Sequence, residues 1–176
     1  MRRRSGVLIL LALLLGGALA LRALLPAAPS DEQKTDTLFA ARFADAHGQL
    51  QSISQWRGQW LIVNFWASWC PPCLEEMPEL SDLQDQYSQR GMVVLGITTD
   101  DAAKMQEFGR ANPVSYPLLA GDFAAMQLAE QLGNDKGILP FTVVLRPDGS
   151  VALRYFGRLD MKKLEHTLTA LLSHSG

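Results

Sequence analysis

The stretch that most constrains this chain is Leu61 to Pro78, LIVNFWASWCPPCLEEMP. Its first half is apolar at nearly every position and rich in β-branched and aromatic residues, so both faces of the strand it predicts, Trp60 to Ala67, must be covered by other elements. Such a strand belongs inside a parallel or mixed sheet. Cys70 and Cys73 follow at C-x-x-C spacing, where the strand gives way to a helix, and they are the only cysteines in 176 residues. A bridge closing so small a loop removes little entropy from the unfolded chain. Two thiols kept at this junction therefore point to chemistry at sulfur rather than to a staple.

The flanks supply the remaining layers. Leu74, Met77, Leu80, Leu83 and Tyr87 recur at helical spacing, which predicts a helix from Pro71 or Pro72 to about Gln89, kinked but not ended by Pro78. Before the strand, Thr37 to Arg57 reads as extended segments forming a hairpin around Asp45-Ala-His-Gly48, anchored by Phe39, Phe43, Leu50 and Ile53. After the helix come a second buried strand at Met92 to Thr98 and a helix capped by Asp100 or Asp101 and stopped by Pro113. An inserted element follows, with an extended segment at Tyr116 to Leu119 and a helix over Phe123 to Leu132 capped by Asp122. Phe141 to Leu145 and Val151 to Phe156, joined by the turn Arg146-Pro-Asp-Gly149, are two further strands, and Met161 to Leu172 is a last helix. Met105, Phe108 and Met126 fall at apolar helical positions and are expected in the core. The order predicts an α/β fold of three layers, a central mixed sheet flanked by helices, with an N-terminal hairpin and an inserted αβ element.

Residues 1–24 are read as an address rather than as part of this fold. Arg2, Arg3 and Arg4 precede an uncharged run of 17 residues, Ser5 to Leu21. That length is at the lower edge of what spans a bilayer, and Ala18-Leu19-Ala20 also has the form of a cleavage site, so the segment is a membrane anchor or a signal peptide cut near Ala20. In either case the arginines keep the N-terminus inside and send the rest outward. The proline- and alanine-rich residues 25–36 read as a linker, and 37–176 as the domain. Without the first 20 residues, 13 basic side chains face 18 acidic ones, a net charge of -5, which excludes nucleic acid as a partner class.

At the cysteines, placement just before a helix brings the Cys70 sulfur against unpaired backbone N–H groups and the positive end of the dipole, favouring the thiolate. Cys70 is the expected nucleophile. Pro71 and Pro72 suit a first helical turn, which needs no N–H donors. Cys73, one turn in, is placed to attack a mixed disulfide on Cys70. A zinc site needs two more ligands, and only His47, His166 and His174 are available, so no metal or cofactor is expected.

Asn64-Phe-Trp-Ala-Ser-Trp-Cys-Pro-Pro-Cys73 resembles the active-site segment of thioredoxin-fold proteins, and Leu74-Glu-Glu-Met-Pro-Glu-Leu80 makes the chain similar to the TlpA/ResA-like branch. The resemblance runs from about residue 37 to 172. It implies a thioredoxin-like fold and an extracytoplasmic thiol-disulfide oxidoreductase, a monomer reducing disulfides in partner proteins and recharged by a membrane thiol-electron donor. It also implies that Pro140 is cis, with Leu139 offering backbone groups to an extended substrate beside Trp69. Thioredoxins carry a buried aspartate where this chain has Asn64, which cannot titrate. The resemblance assigns the proton to Glu76, an i, i+3 neighbour of Cys73, while Glu75 is turned by about 100° toward solvent. Cytochrome c maturation and copper or oxidase assembly are the implied settings, although Pro140-Phe-Thr142 departs from the Pro-Glu-Thr-Phe-like run of the cytochrome branch. A thiol peroxidase and a copper-holding assembly module are the alternatives; Ser68-Trp-Cys70 lacks the Thr-x-x-Cys setting of the former.

Overall fold

The computed structural model describes Asp31 to Ser173. The basic and apolar N-terminal segment lies outside the described residues, and among those described no helix is long and apolar enough to cross a membrane.

The elements follow in the order α1 (Asp31–Ala40), β1 (Arg42–Asp45), β2 (Leu50–Ser52), β3 (Trp60–Trp66), α2 (Pro71–Tyr87), β4 (Met92–Thr98), α3 (Ala102–Ala111), β5 (Leu118–Ala120), α4 (Asp122–Gln131), β6 (Phe141–Leu145), β7 (Val151–Phe156) and α5 (Met161–Ser173). The seven strands form one mixed sheet in the order β2-β1-β5-β4-β3-β6-β7. β3 runs parallel to β4 and antiparallel to β6 and is buried at all seven positions, as its unbroken apolar sequence demands. Alternation along the strands divides the core in two. Trp60, Ile62 and Trp66 face α2, α3 and α5, while Leu61, Val63 and Phe65 face α1 and α4. The expected α/β architecture, hairpin and inserted element are all present.

Four local expectations give way to packing. Residues 31–36, read as linker, and Thr37 to Ala40, read as extended, form the single helix α1. Thr35, Leu38 and Phe39 lie on one face of it and are buried, and the last two join the β3 core. Leu50, expected as an anchor, is 66% exposed, because β2 is the edge strand and has no neighbour beyond it. Asp122 does not cap α4; Gly121 holds the cap position, and Asp122 is the first helical residue, with φ +47°. Met126, expected in the core, is 52% exposed, because Ala125, Leu128 and Ala129 supply the buried face of α4. Met105 and Phe108 pack into the core as expected.

Candidate active site

Cys70 occupies the cap position of α2 with extended backbone angles, and Pro71 and Pro72 open the helix. Cys70 and Cys73 are joined in a disulfide, their Cα atoms 5.3 Å apart. The helix continues through Pro78, which is solvent-exposed, so the lost hydrogen bond falls on the wet side. Cys73 is fully buried and Cys70 nearly so, at 4% exposed.

The first turn of α2 differs from expectation in one respect. The N–H groups of Cys73 and Leu74 both donate to the Cys70 carbonyl, at 3.0 and 3.2 Å, and Pro71 and Pro72 have none to offer. No unpaired backbone N–H is left there to solvate the Cys70 sulfur. The dipole field remains, without the direct hydrogen bonds that normally accompany it at a helix start.

Asp100 shapes the turn that delivers Cys70. Its buried carboxylate accepts from the Ser68 N–H at 2.6 Å and the Thr98 hydroxyl at 3.0 Å, and pairs with Lys104 at 3.0 Å. Burial alone would raise its pKa; these hydrogen bonds outweigh burial and hold the carboxyl below its ordinary value. Trp69, between Ser68 and Cys70, is 65% exposed.

Beneath the cysteines, Glu76 is fully buried. It accepts from the Asn64 side-chain amide at 2.6 Å and from the Leu159 N–H at 3.0 Å, and the same Asn64 amide donates to the Thr142 hydroxyl at 3.0 Å. Burial pushes the Glu76 carboxyl up to about 7, against the pull of these two donors and of the nearby Arg158. Glu75 is exposed and pairs with Arg158 at 3.3 Å, and Arg158 also pairs with Glu79 at 3.0 Å. Gly96, the β4 residue in register with Asn64, has no room for a side chain: an added Cβ would lie 2.8 Å from Leu118, 3.0 Å from Tyr116 and 3.2 Å from the Trp66 indole nitrogen. The Tyr116 hydroxyl and Trp66 N–H, like Asn64 Oδ1, have no hydrogen-bond partner among the described residues. Burial, with the Glu76 charge adding to it, raises the Tyr116 pKa.

The Leu139–Pro140 peptide is cis, at the entry to β6. Gly157 donates its N–H to the Pro140 carbonyl at 2.8 Å, so the Gly157 to Leu159 loop touches both the cis-proline and the buried acid. Of the substrate-side residues expected from sequence, Leu139 and Trp69 line one groove; Pro71, Pro72 and Pro140 are not among its lining residues. Among the described residues no cluster of side chains could hold a metal ion, and His47 sits in the exposed hairpin turn. Thr142, Leu159 and Arg158 carry no sequence signal that singles them out, and Asp100 is signalled only as a candidate cap for α3, a place that Asp101 takes, because each reaches the site through the sheet register or a loop rather than through spacing along the chain.

A mixed sheet with a cysteine pair at the head of the helix after its central strand β3, and a cis-proline at the entry to the neighbouring antiparallel strand β6, is the arrangement of a thioredoxin-fold thiol-disulfide oxidoreductase. The model of the AhpC/TSA family matches residues 31–154. The thioredoxin-like protein YneN of Bacillus subtilis is 28% identical over 123 residues, covering 69% of this chain and 70% of that one. The thiol-disulfide oxidoreductase ResA of Geobacillus kaustophilus is 25% identical over 130 residues, covering 72% and 71%. Among solved structures, a thioredoxin-family thiol:disulfide interchange protein from Chlorobium tepidum superposes with a TM-score of 0.67 at 22% identity, covering 84% of this chain and 99% of that one. The chain belongs to the AhpC/TSA family and is a thiol-disulfide oxidoreductase similar to ResA.

Proposed function

We propose that this protein works outside the cytoplasm as a dithiol reductant of disulfides in partner proteins, with Cys70 as nucleophile and Cys73 as resolving thiol. The Cys70 thiolate attacks one sulfur of the partner disulfide, and the other leaves as a thiolate that takes up a proton. Glu76 then accepts the Cys73 proton, and the Cys73 thiolate attacks Cys70, releasing the second partner sulfur and leaving the Cys70–Cys73 bridge. Two electrons pass to the partner, and a membrane thiol-electron donor restores the dithiol. Trp69, Pro71, Pro72, Leu139 and Pro140 form the face that receives the substrate segment. The partners this reading favours are apocytochrome c or copper-delivery and oxidase-assembly proteins. The export-like residues 1–24 support a periplasmic site of action, held at the inner membrane or released.

The observation that carries the direction of transfer is the closed first turn of α2. A dithiol is a strong oxidant when its reduced form is stabilised, chiefly by N–H groups on the nucleophilic thiolate. Here two prolines and the Cys70 carbonyl take up those groups, which raises the free energy of the thiolate. Equilibration with glutathione is expected to give a potential at or below about -200 mV, and a value near the about -120 mV of the strong oxidants overturns the reductant reading. In the same assay Cys73→Ala should accumulate mixed disulfides on Cys70; equal trapping by Cys70→Ala would reverse the two roles.

A further inference from the structure

We propose that helix α4 and the cysteine face together form a docking groove for an extended, disulfide-bearing segment of a partner protein, reading an apolar and a basic side chain in the residues that flank the partner's cysteine. The inference rests on the oxidoreductase reading above and adds to it the class of segment the site selects.

The inserted helix has two apolar faces where a surface helix needs one. Ala125, Leu128 and Ala129 pack into the core, yet Phe123 and Met126 are left 63% and 52% exposed. Phe123, Met126, Gln127 and Glu130 are spaced i, i+3, i+4 and i+7, so they form one stripe along the helix. This stripe is one wall of a groove of about 280 Å³ whose other wall includes Trp69 and Leu139. The groove therefore includes the chain neighbours of Cys70 and of the cis-proline, and α4 lines it. Asp122, which sets the start of that stripe, is the one non-glycine residue with a positive φ among the described residues, and strained backbone of this kind collects at binding sites.

The chemistry of the lining selects the occupant. Trp69, Phe123, Met126 and Leu139 make part of it aromatic and aliphatic, a place for a buried anchor residue. The two charged residues in it, Glu130 and Asp135, are both acidic and so favour a cation. No hydrogen bond within the described residues engages the backbone N–H or C=O of Leu139, so an extended segment can pair there as an added strand. A folded helix or a flat apolar membrane surface uses none of these backbone groups. A larger cavity of about 780 Å³ lies between the hairpin and α3, lined by Trp56, Arg110 and Tyr116 among others, and contains no thiol.

The test uses the full chain in its dithiol form and three synthetic peptides, each with a central cysteine in a mixed disulfide with glutathione. One peptide flanks the cysteine with leucines and then lysines on both sides, one replaces the leucines by serines, and one replaces the lysines by glutamates. The leucine–lysine peptide is expected to be reduced with a kcat/KM at least tenfold above the other two. In Phe123→Ser/Met126→Ser the leucine preference should vanish, and in Glu130→Gln/Asp135→Asn the lysine preference should vanish. Exchange with hydroxyethyl disulfide should stay within twofold of the parent in both variants. Equal rates for all three peptides on the parent protein overturn the groove, as does an equal fall with hydroxyethyl disulfide and peptides, which would place the effect at the sulfurs. Loss of self-association in the Phe123→Ser/Met126→Ser variant, with peptide rates unchanged, assigns the face to a second copy of this chain and likewise overturns it. Failure of the parent to reduce even hydroxyethyl disulfide is the separate result that removes the oxidoreductase reading itself.

Discussion

Glu76 and Asn64 meet beneath the active-site helix, where the carboxylate is anchored by two N–H donors but shut away from water. Burial wins, and the carboxyl titrates near 7 rather than near 4.5. From about pH 4.5 to about pH 7 the folded protein therefore holds a proton that the unfolded chain has released. The cost of burying the charge is absent below that window, grows as pH rises through it and is complete above it. Its size is on the order of 3 kcal/mol. Glu76→Gln, which removes the charge and brings its own amide toward the unpaired Asn64 Oδ1, should be the more stable protein at pH 8 by up to about 3 kcal/mol, with little difference at pH 4. Urea denaturation of the oxidised protein at both pH values reads this, and parallel pH profiles would show that Glu76 is not the titrating group. The same substitution should also move the pH dependence of Cys73 alkylation in the dithiol form; a profile unchanged from the parent returns Glu76 to a purely structural part.

Among the elements, α1 and α2 show how packing redirects local preference. Residues 31–40 carry a proline-flanked, polar sequence that signals no helix strongly, yet Leu38 and Phe39 close the core over β3. Ion pairs link the helix to β7 through Arg154 and Asp31 at 2.8 Å and to the turn before β3 through Arg57 and Asp36 at 3.0 Å, though pairs this exposed add little. Leu38→Ala should cost about 2–5 kcal/mol, the range for a wholly buried leucine, and a linker residue would cost almost nothing. Thermal denaturation of the two proteins distinguishes them. In α2 the local rules hold: a helix can open on two prolines, and an interior proline is tolerated on the wet face. What those rules could not reveal is that the same prolines, with the Cys70 carbonyl, leave no backbone N–H of the first turn free for the Cys70 sulfur.

At the scale of the whole molecule, redox state and folding are linked. If the dithiol is reducing, the bridge is more stable in the folded protein than in the unfolded chain, so the oxidised form must be the more stable fold. Each 30 mV below the potential of the unfolded pair corresponds to about 1.4 kcal/mol. Urea denaturation with and without a thiol reductant should place the oxidised midpoint higher; the reverse order is the signature of an oxidant.

By itself the sequence determined the elements that follow from periodicity and from strong local chemistry. These are the buried run at β3, the amphipathic α2, the hairpin, and the cysteine pair at the head of α2. The resemblance carried by the flanking residues added the cis-proline and singled out Glu76. Tertiary structure alone decided what depends on sheet register and on which face of an element meets another. Asn64 lies against Thr142 and Gly96 because β3 pairs with β6 and β4 in one register, and Leu159 reaches Glu76 across 83 positions. Met126 faces solvent because small residues on the opposite face of α4 let that face pack. An apolar residue at helical spacing shows that a face exists; only the packed neighbours show whether the core or a partner covers it.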